Sequence, residues 1–221
     1  MKIILQDHLW QVGGSGLTDD ADAAVYLVRF GDRAALIDAG TGMHHANLRA
    51  NIAAILKPDV HIEYLLLTHC HFDHTGGAAA VRRDYGCRIV AHELDATFLE
   101  RGDDAVTAAS WYGMHLEPFS VDWKLKGQTT DITIGQGKIT AIHCPGHSPG
   151  SLVFTAHIQG KLVLFGQDVH GPVHPALMSN EKHYKATLHK LISLNADILL
   201  EGHYGIVQPQ DQVKKFIASF L

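Results

Sequence analysis

Thr68-His69-Cys70-His71-Phe72-Asp73-His74-Thr75-Gly76-Gly77 decides the reading of this chain. Three imidazoles and a carboxylate fall within six residues, directly after the apolar run Tyr64-Leu65-Leu66-Leu67. Folding alone does not call for such a cluster; a metal centre does. Imidazole and carboxylate donors suit zinc, and also iron or manganese. Side chains at i and i+2 of an extended segment point the same way, so His69 and His71 converge on one point as the strand ends. Asp73 and His74 follow where the chain turns and face a second point nearby. Thr75 is expected to cap a helix running through Ala78 to Arg83. The positive end of that helix would favour a bound hydroxide or a substrate anion.

The 221 residues predict one domain, 1–221, with a sizeable core. Hydrophobic content of 46% and charged content of 19% are those of a globular protein. A net charge of −5 without a basic run argues against nucleic acid as a partner. The 17 histidines are the compositional anomaly. Cys70, Cys87 and Cys144 are too few and too scattered for a disulfide framework, and Cys70 and Cys144 read as free thiols of a reducing compartment. Ile3-Ile4-Leu5 is too short for a signal peptide, and no segment approaches the ~20 apolar residues of a membrane span. The expectation is a cytoplasmic protein with a small-molecule substrate and no membrane partner; a homodimer is left open.

Short strands and turns fill the first third. Ile3 to Gln6 and Leu9 to Val12 read as strands, and Ala24 to Phe30 with Ala34 to Asp38 as a hairpin turning at Gly31-Asp32. A helix is expected from Met43 to Leu56, with Leu48, Ile52, Ile55 and Leu56 on one side. Strands are expected at 64–68 and 87–91, with a short helix from Glu93. Residues 101–117 are irregular and rich in aromatics, as a surface excursion or a substrate loop would be. The second half repeats the pattern, with strands at 121–124, 131–134, 138–143, 151–156, 161–165 and 198–200. Helices are expected from Glu181 to Leu194 and from Gln212 to Phe220. Strands dominate each half and helices interrupt or close it. This is the order of two sheets packed together with helices outside.

Four more polar residues end apolar strands next to glycine: Asp38 after Ala34-Ala35-Leu36-Ile37, His147 in Pro145-Gly146-His147-Ser148-Pro149-Gly150, Asp168 after Leu162 to Gln167, and His203 after Ile198 to Gly202. Strand ends gathered at one edge of a sandwich would bring them together.

These motifs resemble those of the metallo-β-lactamase-fold hydrolases. T-H-C-H-F-D-H-T-G-G, P-G-H-S-P-G-S, Asp168, G-H-Y at 202–204 and L-I-D-A-G-T-G at 36–42 occur in that family's order over most of the chain. The resemblance implies an α+β fold, an αββα four-layer sandwich with two mixed sheets face to face and a metal site at one edge. It assigns His69, His71 and His147 to a first metal, Asp73, His74 and His203 to a second, and Asp168 to both. Asp38 is expected to orient ligands without touching metal. Two Zn2+ are the expected cofactors, with iron or manganese as alternatives. Two metals about 3.5–4 Å apart share a hydroxide, which would attack an ester, thioester or lactone, or a phosphoester in a phosphodiesterase. Asp73 and Asp168 would hold that hydroxide and relay its proton.

Lactamases of this fold commonly carry cysteine where Asp168 stands, so the resemblance points to the glyoxalase-II-like branch. The chain ends 18 residues after His203, without the helical domain that serves glutathione in that branch, so the resemblance to hydroxyacylglutathione hydrolases leaves glutathione specificity open. Homoserine-lactone lactonases place a tyrosine just after the bridging aspartate, and Val169-His170-Gly171-Pro172 does not. A mononuclear iron persulfide dioxygenase using His69, His71 and Asp168 is the alternative enzyme; a non-catalytic metal module is the third reading. Tyr112, His115, His170, His174 and Tyr204 are candidates for the substrate pocket. Cys70, one residue from His69, is expected to point away from the metals, and Cys144 to be a small buried residue. The remaining histidines read as structural or surface residues.

Overall fold

The structure, a computed structural model, describes residues 1–221. Two mixed sheets lie face to face. The first holds seven strands in sequence order: β1 Lys2–Leu5, β2 Leu9–Gly13, β3 Val25–Phe30, β4 Arg33–Ile37, β5 His61–Leu66, β6 Arg88–His92 and β7 Trp123–Leu125. The second holds six: β8 Thr129–Ile134, β9 Gly137–His143, β10 Leu152–Ile158, β11 Lys161–Phe165, β12 Ile198–Glu201 and β13 Gly205–Val207, also neighbours in sequence order. Antiparallel pairing prevails, except that β4 to β7 run parallel, as do β11 and β12. Helices α1 His45–Ala53, α2 Phe72–Thr75, α3 Ala78–Tyr85, α4 Glu93–Arg101, α5 Glu181–Ser193 and α6 Gln210–Ala218 complete the chain.

Alternation along the strands builds the layers. Tyr64 and Leu66 of β5 face the second sheet and meet a core that includes Phe154, Phe165 and Leu200. Leu65 and Leu67 face the other way, onto Leu48, Ile52, Val81 and Leu99 of the helices. Across the molecule, Val153, Leu164 and Leu199 pack on Leu188, Leu191, Val213 and Ile217 of α5 and α6. Three apolar layers between four layers of structure make an αββα sandwich, the architecture expected. Each sheet is apolar on both faces because each is covered on both faces. No helix is long and apolar enough to cross a membrane.

Several elements depart from expectation. The first helix is shorter, His45–Ala53, the strand near 121–124 is Trp123–Leu125, and β13 went unrecognised because only three half-buried residues make it. Thr75 does not cap the helix at Ala78. It closes α2, and its hydroxyl donates back to the carbonyl of His71 at 2.9 Å; Gly77 precedes α3 instead. The pair Gly76-Gly77 is needed because the loop after β4 lies against it: a Cβ on either would collide with the carbonyls of Thr41 or Ala39.

One edge of the sandwich collects the strand ends. There the two sheets are tied together by Leu152 N–H donating to Thr68 O at 2.6 Å, Ala24 N–H to Gly202 O at 2.7 Å, and the Tyr26 hydroxyl to Glu201 O at 2.9 Å.

Candidate metal centre

The backbone changes from extended to helical at His71, whose φ of −69° and ψ of 148° precede the single turn of α2. That change aims His69 and His71 at one point, and Asp73 and His74 at another. His147 reaches the first point from the loop between β9 and β10. Asp168 comes from the end of β11, and His203 from the turn after β12. Donor atoms of His69, His71, His147 and Asp168 lie within 4.8 Å of one another, as do those of Asp73, His74, Asp168 and His203. Asp168 belongs to both groups. Its Oδ2 is 3.4 Å from His147 Nε2, and its Oδ1 is 3.0 Å from His74 Nε2 and 3.4 Å from His203 Nε2. Asp73 Oδ2 lies 3.1 Å from His203 Nε2.

The outward nitrogens are committed to partners that leave lone pairs facing inward. His147 Nδ1–H donates to Pro172 O at 2.9 Å, and His74 Nδ1–H to Asp38 Oδ2 at 2.7 Å. His69 Nδ1–H donates to the Thr68 hydroxyl at 3.0 Å, which donates in turn to Asp38 Oδ2 at 2.7 Å. Asp38 sits in the left-handed region, with φ of 62°, a conformation that aspartate tolerates better than most residues. Its Oδ1 also accepts Thr68 N–H at 2.8 Å, so one carboxylate orients two imidazoles. Within the cluster, His71 Nε2, His74 Nε2 and Asp168 Oδ1 are buried without a hydrogen-bond partner. His69 Nε2 and His147 Nε2, both bare, stand 3.2 Å apart. Buried polar atoms left unpaired are costly, and opposed lone pairs repel. A cation between them removes both penalties, so the donor set fits bound metal.

Electrostatics divides the two groups. Burial, reinforced by His147, drives His71 down to about 3. Burial with His74, His71 and His147 holds His69 well below its ordinary range. Both are therefore neutral at pH 7, as metal ligands must be. In the other group burial opposes protonation of His203, but the adjoining Asp168 and Asp73 carboxylates prevail and raise it to about 10, so a metal bound there would displace its proton. Burial likewise works against charge on Asp168, and the His74 imidazole, with His147 and His203 close by, holds it well below the carboxylate range.

A cavity of about 160 Å3 opens onto His71, Asp73, Asp168 and His203, walled by Ala108, Trp111, Tyr112, His170, Pro172 and Leu177. Tyr112 and His170 thus stand where a substrate residue was expected. Burial and the nearby Asp73 and Asp168 raise the Tyr112 phenol, which stays protonated. Three other expected pocket residues lie elsewhere. His115 points to solvent and pairs with Asp104 at 2.5 Å, because the chain reverses at Gly113. His174 caps the short turn Pro175–Leu177, accepting Ala176 N–H at 3.2 Å, and its ring meets Trp111 outside the cavity. Tyr204 packs on Phe216 and borders a separate polar cavity on the far side of His203.

Cys70 is buried in the helix-side core and Cys144 in the core under α5. Sequence reading passed over Asp95 and Glu201, both wholly buried beneath the donor loops. The available signal was an acid at the first turn of a helix and another closing an apolar strand.

A fold with this edge-mounted His/Asp cluster defines a metal-dependent hydrolase class. The metallo-beta-lactamase superfamily profile matches residues 19–203, and the chain belongs to that superfamily. It is 28% identical over 212 residues to the acyl-coenzyme A thioesterase MBLAC2 of Gallus gallus, covering 83% of this chain and 73% of the relative. It spans 58% of the bovine and human counterparts. Identity to the hydroxyacylglutathione hydrolase GloC of Haemophilus influenzae is 27% over 195 residues, covering 84% of this chain and 88% of the relative. Among solved structures, a Cronobacter sakazakii metallo-beta-lactamase mutant superposes with a TM-score of 0.78 at 21% identity, over 99% of this chain and 92% of that one. At that identity the likeness is one of fold.

Proposed function

We propose that this chain is a binuclear, zinc-dependent thioesterase of the glyoxalase-II-like branch, with small esters and lactones as its neighbouring substrates. The observation that carries the reading is the pair of donor groups sharing Asp168, with buried nitrogen and oxygen atoms that have no partner inside the protein. His69, His71, His147 and Asp168 would hold one metal, and Asp73, His74, Asp168 and His203 the other. Relatives named for acyl-coenzyme A and for hydroxyacylglutathione support an acyl group on sulfur as the substrate.

Bound metal supplies a water acidified toward neutrality and an electrophile for the acyl carbonyl. The protein does the rest. Asp73, ionised, would accept the proton of the attacking water while Asp168 keeps that water in place; as the C–O bond forms and the C–S bond breaks, the proton returns to the departing sulfur, which leaves as a thiol. Trp111, Pro172 and Leu177 form the apolar side of a cavity sized for a short acyl group and exclude water around it. The protonated Tyr112 hydroxyl donates a hydrogen bond to the substrate's polar end.

Zinc-loaded protein assayed on acyl-coenzyme A and hydroxyacylglutathione thioesters, homoserine lactones, a phosphodiester and a β-lactam tests the reading. Turnover highest on thioesters, with two zinc per chain, is expected. Preference for the lactam or phosphodiester would overturn the substrate class. One iron per chain with oxygen consumption would overturn the hydrolase in favour of a dioxygenase.

A further inference from the structure

Glu201 closes β12 in a wholly buried position, and its two oxygens face different segments. Oε1 accepts Val169 N–H at 2.9 Å and His170 Nδ1–H at 2.8 Å, on the loop that carries Asp168. Oε2 accepts His203 N–H at 2.7 Å and Tyr204 N–H at 2.8 Å. With the longer bond from His170 N–H to Oε1 at 3.4 Å, five bonds occupy the carboxylate, which is therefore an anchor and not a further metal ligand. Asp95, also wholly buried, repeats the device elsewhere. Its Oδ2 accepts Cys70 N–H at 3.0 Å and the Ser148 hydroxyl at 2.6 Å, and its Oδ1 accepts Gly150 N–H at 2.6 Å. Asp95 thus joins the loop of His69 and His71 to the loop of His147. It makes no hydrogen bond to the segments that carry Asp168 and His203.

We infer that Asp95 and Glu201 are positioning residues that divide the centre between them: Asp95 sets the affinity of the His69/His71/His147 site, and Glu201 that of the Asp73/His74/His203 site. The inference rests on the two-metal reading above. Metal affinity follows donor placement to within about 0.2 Å, and hydrogen-bonded supports of ligands typically govern it by about 10–100-fold. Each carboxylate adds side-chain bonds between two segments that backbone bonds, Leu152 N–H to Thr68 O for Asp95 and Gly166 N–H to Leu200 O for Glu201, already bring side by side. Asp168 is common to both sites. Three histidines still define the first site when Asp168 shifts, whereas the second loses the register of both Asp168 and His203.

The test is stepwise titration of metal-stripped protein with Co2+, followed by its visible absorption. Variants His147→Ala and His203→Ala assign the bands to the two sites. Glu201→Gln is expected to weaken the His203-dependent equivalent by about 10–100-fold while leaving the other within about threefold, and Asp95→Asn to do the reverse. Amide exchange on the unsubstituted chain reads the same division without depending on how the variants fold. The equivalent that fills the first site is expected to protect Cys70 and Gly150, and the other Val169, His203 and Tyr204. If the unsubstituted chain stops at one Co2+, the two-metal reading fails and the inference with it. Two equivalents that both variants weaken alike, or amides that all respond to one equivalent, would overturn the division alone.

Discussion

Asp38 shows how much of the centre depends on a side chain that holds no metal. It receives Thr68 N–H, the Thr68 hydroxyl and His74 Nδ1–H, all buried. Asp38→Ala leaves those donors unpaired, at about 1–3 kcal/mol each, and frees two imidazoles to rotate. The expected result is a lower melting temperature together with metal affinity reduced about 10–100-fold, read by calorimetry and metal analysis. A variant that kept full metal content would deny Asp38 its orienting role. Gly202 tests the same crowding from the other side, since a Cβ there would collide with Asp168 Oδ1 and sit 2.9 Å from His74 Cε1. Gly202→Ala is expected to cut turnover at least about tenfold with little change in secondary structure; equal turnover would mean that Asp168 has room to move. The seven side chains that the structure gathers at this edge were legible in sequence because metal chemistry restricts residue type and the strand ends repeat one pattern. Asp95 and Glu201 were not, because a lone acid carries no spacing. His115, His174 and Tyr204 were misplaced because loop backbones set side-chain directions through tertiary contacts that no short-range pattern encodes.

Among the elements, α4 carries a pH-dependent start. Its N-cap is His92, whose Nδ1 accepts Leu94 N–H at 3.3 Å while the ring stacks on His143 at 3.9 Å. Burial and His143 push His92 down to about 4. The folded value lies below the ordinary 6.5 of an unfolded chain, so between pH 6.5 and pH 4 the unfolded state binds more protons. Stability from this group is therefore present above pH 6.5 and lost as pH falls toward 4. His92→Asn keeps a capping acceptor that does not titrate. Melting of metal-stripped protein from pH 7 to pH 4 is expected to fall less steeply for the variant; parallel curves would exclude His92 as a source of acid lability. Strand positions were readable from alternation and helix faces from their apolar spacing. Thr75 was misassigned as a cap because α2 intervenes, and a single helical turn leaves no periodic trace.

At the scale of the molecule, both sheets and their helical cover were legible, since apolar runs on both faces of a strand require two covering layers. The pairing of β11 with β12 across α5 was not, because nothing local records which distant strand is the neighbour. If metal binds only the folded chain, occupancy at about 100 times the dissociation constant adds about 2.7 kcal/mol per site. For a chain of this size that is a rise of about 5–10 °C per site, which a chelator should reverse. An unchanged melting temperature would mean that the gathered side chains hold no metal. The ties between Tyr26 and Glu201, 175 residues apart, and the approach of His147 to His69 across 78 residues give the edge a further meaning. Long-range closures of this kind carry a loop-closure cost that must be met before their contacts reward it. Neither half of the chain owns a complete set of donors. A nascent or nicked chain offers only fragments of a site, so capture of metal marks the docking of the two sheets, and occupancy becomes a record of finished assembly.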